Sequence, residues 1–212
     1  MERVDLFSVP IWKTKLHPSE YNRAQIIKDV EHNYAIDPKR NAWDSVSNMH
    51  HTNCDYNNPK FKEIDTTSLR SPYHKIISEF INTLKFAHPV QWGFGIDNIT
   101  AMKSSQNMNA HDHTGYAGSF FSMVHYLQFD KNHHSTTTFI NPSTALVYHS
   151  LLQENRRRLA PILENSSYFP NWNLETEEHD VVIFPSYLRH RVDPNPETNK
   201  LRITGVVSIS IT

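Results

Sequence analysis

The chain has one cysteine, Cys54, among 212 residues, which excludes an internal disulfide. It has no block of like charge longer than Arg156-Arg157-Arg158. Its 21 Lys and Arg stand against 22 Asp and Glu, a formal net charge of −1, which argues against a general nucleic-acid binder. No apolar run reaches the length of a membrane span, and the opening MERVDLFSVPIWKTKL carries no signal-peptide core, so the expectation is a soluble cytoplasmic protein. Internal repeats and low-complexity tracts are missing too. Histidine, by contrast, is abundant. With 14 in the chain, an H-x-H pair arises by chance on the order of once, so the surroundings of any such pair must carry the inference.

One pair has such surroundings. His111-Asp112-His113 is followed much later by His190, in FPSYLRHRV, and by Arg202, in LRITGVVSIS. Residues two apart on a strand point to one side, so His111 and His113 can present two imidazoles to one ion while a distant strand supplies His190. Asp112, between them, points to the other face of a regular strand. Neutral imidazole is a good metal ligand near neutral pH, and the planar fork of Arg202 suits a bidentate carboxylate. The set suggests iron and a dicarboxylic cosubstrate. Strand alternation sharpens the case for Arg202: Leu201, Ile203, Val207, Ile209 and Ile211 share one face, and Arg202, Thr204, Ser208 and Ser210 share the other, with Val206. A strand that buries its apolar side under helices aims Arg202 and Thr204 into a polar cavity, where His190 also points.

At this length one domain with a real core is expected. Val4 to Leu16 is extended, interrupted by Pro10, and Pro18 to Tyr34 predicts a helix with Ile26, Ile27 and Val30 on one face. Ile36 to Leu69 is polar and rich in Asn and Asp. It reads as loop, either a lid over a site or a segment without fixed structure. Pro72 to Phe86 predicts a second helix, striped by Ile76, Ile77, Phe80, Ile81 and Leu84. Beyond His88-Pro89 come strand-like runs at 92–102, 108–113, 120–129, 136–140, 180–184, 190–193 and 201–212. They predict a mainly β fold, a double-sheet barrel or jelly roll buttressed by the N-terminal helices, with 1–90 as the helical and irregular part and 91–212 as the core. Residues 141–172 interrupt that core as an insertion, with a helix over Ala145 to Arg158. His50-His51 and His133-His134 read as solvated loop residues, Arg156-Arg157-Arg158 as a solvated face, and Trp43, Tyr56, Trp92 and Trp172 as packing aromatics.

Two stretches, NAHDHTGYAGSFFSMVHYLQF and VVIFPSYLRHRVDPNPETNKLRITGVVSIS, resemble a family: the 2-oxoglutarate- and Fe(II)-dependent oxygenases of the double-stranded β-helix fold, in a branch common in bacteria and phages. The resemblance implies that His111 and His190 bind metal, that Arg202 holds the distal carboxylate of 2-oxoglutarate with Thr204 as its hydroxyl partner, and that Tyr126 donates to a cosubstrate oxygen. H-x-D is usual across the superfamily and His113 stands at the aspartate position, so the site is either three histidines or a distorted strand from which Asp112 binds. Three neutral imidazoles leave the metal more positive and hold an anionic keto acid harder. The implied activity is a dioxygenase that hydroxylates a substrate, peptidyl or small-molecule, while O2 and 2-oxoglutarate yield succinate and carbon dioxide. A homodimer is allowed, and a phage origin would put the protein in the host cytoplasm. Two alternatives stand beside this: a cupin-like metal enzyme needing no keto acid, in which Arg202 loses its role, and a non-enzymatic β-rich binding module holding Zn(II) or no metal.

Overall fold

The computed structural model describes residues 9–40, 47–52, 59–103, 105–115, 118–143, 171–194 and 199–212. Strand β1 (Trp12–Lys15) leads to helix α1 (Arg23–Ile36), then to a two-residue strand β2 (His50–His51) and helix α2 (Arg70–Thr83). Eight strands follow: β3 (Trp92–Met102), β4 (Met108–His111), β5 (Ser119–Gln128), β6 (Thr137–Ile140), β7 (Asn171–Asn173), β8 (Asp180–Pro185), β9 (His190–Val192) and β10 (Arg202–Ile211). They form two antiparallel sheets, one in the order β1-β8-β5-β10-β3-β2 and a smaller one in the order β4-β9-β6-β7. This is the double-sheet jelly roll expected from the strand spacing, with helices on its outer side.

Alternation explains how the layers stack. On β10 the odd-numbered Ile203, Val207 and Ile209 pack with Ile26 and Val30 of α1 and with Tyr73, Ile77, Phe80 and Ile81 of α2. Full burial of each such side chain stabilises the fold by about 1.5–3 kcal/mol, enough to fix which face of the sheet the helices cover. The even-numbered Arg202, Thr204 and Val206 are left for the space between the sheets. The register of β10 skips Asp97 on β3, and Leu127 and Phe120 on β5, so the irregularities fall on the partner strands and β10 keeps its parity.

The local departures from expectation have identifiable causes. The helix read from Pro18 splits because a capping box formed by His17 and Glu20 closes a short 3-10 turn over Pro18–Glu20, and Tyr21 is extended before α1 begins. Strand β4 stops at His111. His113 lies beyond it, and its backbone N–H donates to Ser186 O at 2.8 Å, so the pair does not share one strand. The loop reading of Ile36 to Leu69 is corrected by β2, which pairs with β3 at His50↔Ala101 and His51↔Thr100, and by a 3-10 turn at Thr67–Leu69. His50, His51 and His134 are buried rather than solvated: β2 is the edge strand paired to β3, His50 is covered by the Asp37 carbonyl and the Phe61 ring, and His134 is held by the Asp130 N–H and the Lys200 carbonyl. Asn171–Asn173 is a strand on β6, straddling the end of what read as the irregular insertion over 141–172. The helix expected at Ala145 to Arg158, and Trp43 and Tyr56, lie outside the described residues.

Candidate metal centre and cosubstrate cavity

Strands β4 and β9 are adjacent, with His111 paired to His190, and the Ser186 carbonyl tethers His113 beside them. Each of His111, His113 and His190 offers a ring nitrogen, and these atoms all lie within 4.8 Å of one another. Ring centroids are 4.3 Å apart for His111 and His190, and 5.2 Å for His113 with either. Two of the rings are aimed by their own backbone: His111 Nδ1 meets Asn109 O at 2.8 Å, and His190 Nδ1 meets Leu188 O at 2.9 Å. A carbonyl at Nδ1 selects the tautomer with its proton there and leaves the Nε2 lone pair for the cluster.

Burial keeps the rings in the ligating form. It drives His190 well below the ordinary imidazole range, helped by His111 and His113, and pushes His113 down to about 4. Lone pairs are therefore available at neutral pH, and the donor set fits a divalent ion of the first transition row. Asp112 is turned elsewhere. Its carboxylate accepts from the N–H of Thr114 at 3.1 Å and from the Thr114 hydroxyl, and these bonds hold it below the usual carboxylate range.

Behind the imidazoles, the same cavity is lined by Arg202, Thr204, Thr137, Thr100 and Asn98. Arg202 is 1% exposed. Its Nε donates to Ser135 O at 2.9 Å, its Nη1 to Thr204 Oγ1 at 3.3 Å and its Nη2 to Thr137 Oγ1 at 3.5 Å. Its guanidinium carbon sits 5.3 Å over the ring of Tyr126. Among the described residues no carboxylate lies within ion-pair distance of it. Burying an unmatched guanidinium costs several kcal/mol, a cost that a ligand carboxylate would offset. Thr204 Oγ1 also meets Thr100 Oγ1 at 2.8 Å across the β3–β10 pair. The hydroxyl of Tyr126 donates to Thr137 Oγ1 at 2.8 Å, and Tyr126 is not among the residues that line the cavity.

Three imidazoles and a buried guanidinium thus share one cavity. A family model described as "Putative 2OG-Fe(II) oxygenase" matches residues 99–208. The chain belongs to this family. It is an Fe(II)- and 2-oxoglutarate-dependent dioxygenase, with O2 and 2-oxoglutarate as cosubstrates. No curated protein matches it. Among solved structures it is similar to a prolyl-4-hydroxylase of Pseudomonas putida, at 10% identity and TM-score 0.58 over 96% of this chain and 93% of that one. It is also similar to the α-ketoglutarate-dependent carbocyclase SnoK of nogalamycin biosynthesis, at 13% identity and TM-score 0.58 over 95% and 79%. A prolyl hydroxylase of Trichoplax adhaerens, solved with a hypoxia inducible factor peptide, aligns at 11% identity and TM-score 0.55 over 94% and 83%. At these identities the likeness is one of fold, the double-stranded β-helix.

Sequence reading missed several cavity residues: Met49, His51, Asn98, Thr100, Met108 and Thr137. Thr100 could have been found by pairing β3 against β10, since it stands opposite Thr204 in register. For Met49 and His51 nothing local signals the site, because the short β2 reaches it only through its contact with β3.

Proposed function

We propose that His111, His113 and His190 hold the Fe(II), that Arg202 and Thr204 bind the distal carboxylate of 2-oxoglutarate, and that the enzyme hydroxylates a C–H bond of a peptide or small-molecule substrate. One domain spanning 1–212 carries this activity, in the cytoplasm, where its lone cysteine stays reduced. The observation that carries the reading is Arg202, a fully buried cation with no carboxylate partner among the described residues, facing the cavity that three imidazoles enter.

Iron held by His111, His113 and His190 would supply the O2-dependent decarboxylation of the keto acid. The protein's part is positioning. Arg202 offers its guanidinium fork, Thr204 a hydroxyl at its flank, and Thr137 and Thr100 fix both through hydrogen bonds. Tyr126 serves the cosubstrate through Arg202, with its ring under the guanidinium and its hydroxyl engaged by Thr137. Met49, Met108, Val124, Val192 and Val206 give the cavity an apolar wall that limits water around the reacting groups.

Adding 2-oxoglutarate to the anaerobic Fe(II) protein should produce a weak visible metal-to-ligand charge-transfer band. No band at saturating ligand would overturn the cosubstrate assignment. Succinate release measured against peptide and metabolite pools would then identify the substrate class.

A further inference from the structure

Two of the five methionines in the chain, Met49 and Met108, line the cavity with His111, His113 and His190. Met49 is 1% exposed and Met108 9%, and both pack with Met102 and Val192 in one buried cluster. Met108 opens the strand that ends at His111, and Met49 immediately precedes β2. Their thioethers differ from the remainder of the apolar wall, which is built of valines. A divalent sulfur is polarizable and carries lone pairs, so it accepts an oxygen atom more readily than an aliphatic C–H bond does.

We propose that Met49 and Met108 are sites of self-modification, converted to methionine sulfoxide when 2-oxoglutarate and O2 are turned over without substrate. The inference rests on the dioxygenase reading above. The step balances as 2-oxoglutarate plus O2 plus thioether giving succinate, carbon dioxide and sulfoxide. The O–O bond breaks; one oxygen enters the new carboxylate of succinate and the other forms the S–O bond. The keto acid loses its C1–C2 bond and is oxidised by two electrons, the sulfur is oxidised by two, and O2 takes up all four. No proton is left over.

Met123 provides an internal control. It is buried like the others, at 0% exposed, but packs in the core on the helix side of β5, away from the cavity. The experiment incubates the Fe(II)-loaded protein with 2-oxoglutarate in air without substrate, then follows succinate and the masses of proteolytic peptides. Parallel samples lack 2-oxoglutarate, contain N-oxalylglycine in its place, or contain catalase. Peptides bearing Met49 or Met108 should gain one oxygen, about 16 Da, only with 2-oxoglutarate and regardless of catalase, while the Met123 peptide is unchanged. A Met49→Leu/Met108→Leu double variant, close in volume, should lose the shift, while Met123→Leu, outside the cavity, should keep both the shift and succinate release. Succinate without these shifts, shifts equal at Met123, or shifts independent of 2-oxoglutarate would overturn the self-modification and leave the dioxygenase reading standing. No succinate at all would overturn both.

Discussion

His190 and His125 are both almost fully buried, at 3% and 0% exposed, on opposite sides of the larger sheet. Burial depresses both, His190 well below the usual imidazole range and His125 to about 3. Each has its Nδ1 engaged, His190 by the Leu188 carbonyl and His125 by the Tyr73 hydroxyl at 2.9 Å. They differ at Nε2. In His190 that atom looks toward two more imidazoles. In His125 it is buried with no hydrogen-bond partner among the described residues, between Tyr21, Tyr73 and the sheet. A perturbed buried histidine is therefore no mark of a metal centre in this molecule. Convergence of lone pairs is what separates the two sides.

The largest expected break of this symmetry comes from deleting a ligand. His190→Ala should lower Fe(II) affinity by at least about 100-fold, judged against the 10–100-fold cost of losing mere outer-shell partners. His125→Phe should leave iron content by elemental analysis unchanged. Next in size is Arg202→Ala. Truncating one side of a buried charged contact costs about 2–5 kcal/mol, so 2-oxoglutarate affinity should fall by about 30-fold or more while iron affinity stays close to wild type. Equal loss of both in calorimetry would contradict the division of roles, and Arg202→Gln, which keeps most of the volume, separates that result from misfolding.

Acid should then sharpen the comparison. For His125 and His113 the folded-state values, about 3 and about 4, lie below the unfolded value of about 6.5, so the unfolded chain takes up protons first. Their stabilising contribution is complete above about pH 6.5 and is lost as pH falls toward 4, with each group adding at most about 1.4 kcal/mol per pH unit. Urea melts of the metal-free protein should show this loss, and His125→Phe should flatten it. Iron loading should protect the His113 share until the metal is released and leave the His125 share in place. The smallest effect is Tyr73→Phe. It removes one buried hydrogen bond and should cost about 1 kcal/mol of stability with no change in iron or 2-oxoglutarate binding. Gly205→Ala probes the same place from beneath, since an added Cβ would stand 3.2 Å from the Tyr73 hydroxyl oxygen.

The two sides were not equally legible. The helix side could be read because its pattern is local: Ile77, Phe80 and Ile81 recur at helical spacing, and Ile203, Val207 and Ile209 alternate at strand spacing. Arg202 and Thr204 were legible by the same alternation. His113 was named for a reason that does not hold, since a backbone bond to Ser186 places it and not strand periodicity. His51 and His134 read as solvent-facing because short polar loop segments carry no record of what covers them.

By itself, the order of residues along this chain settled its secondary-structure periods, the polar face of β10 and the identity of the imidazole and guanidinium donors, because these depend on neighbours within a few positions. Tertiary structure decided which of its 14 histidines converge, that Arg202 is sealed from water without an acidic partner among the described residues, and that Met49 and Thr100 share the cavity. Those outcomes arise from strand pairings and layer packing across long separations, and the chemistry at each point depends on which distant strand lies opposite.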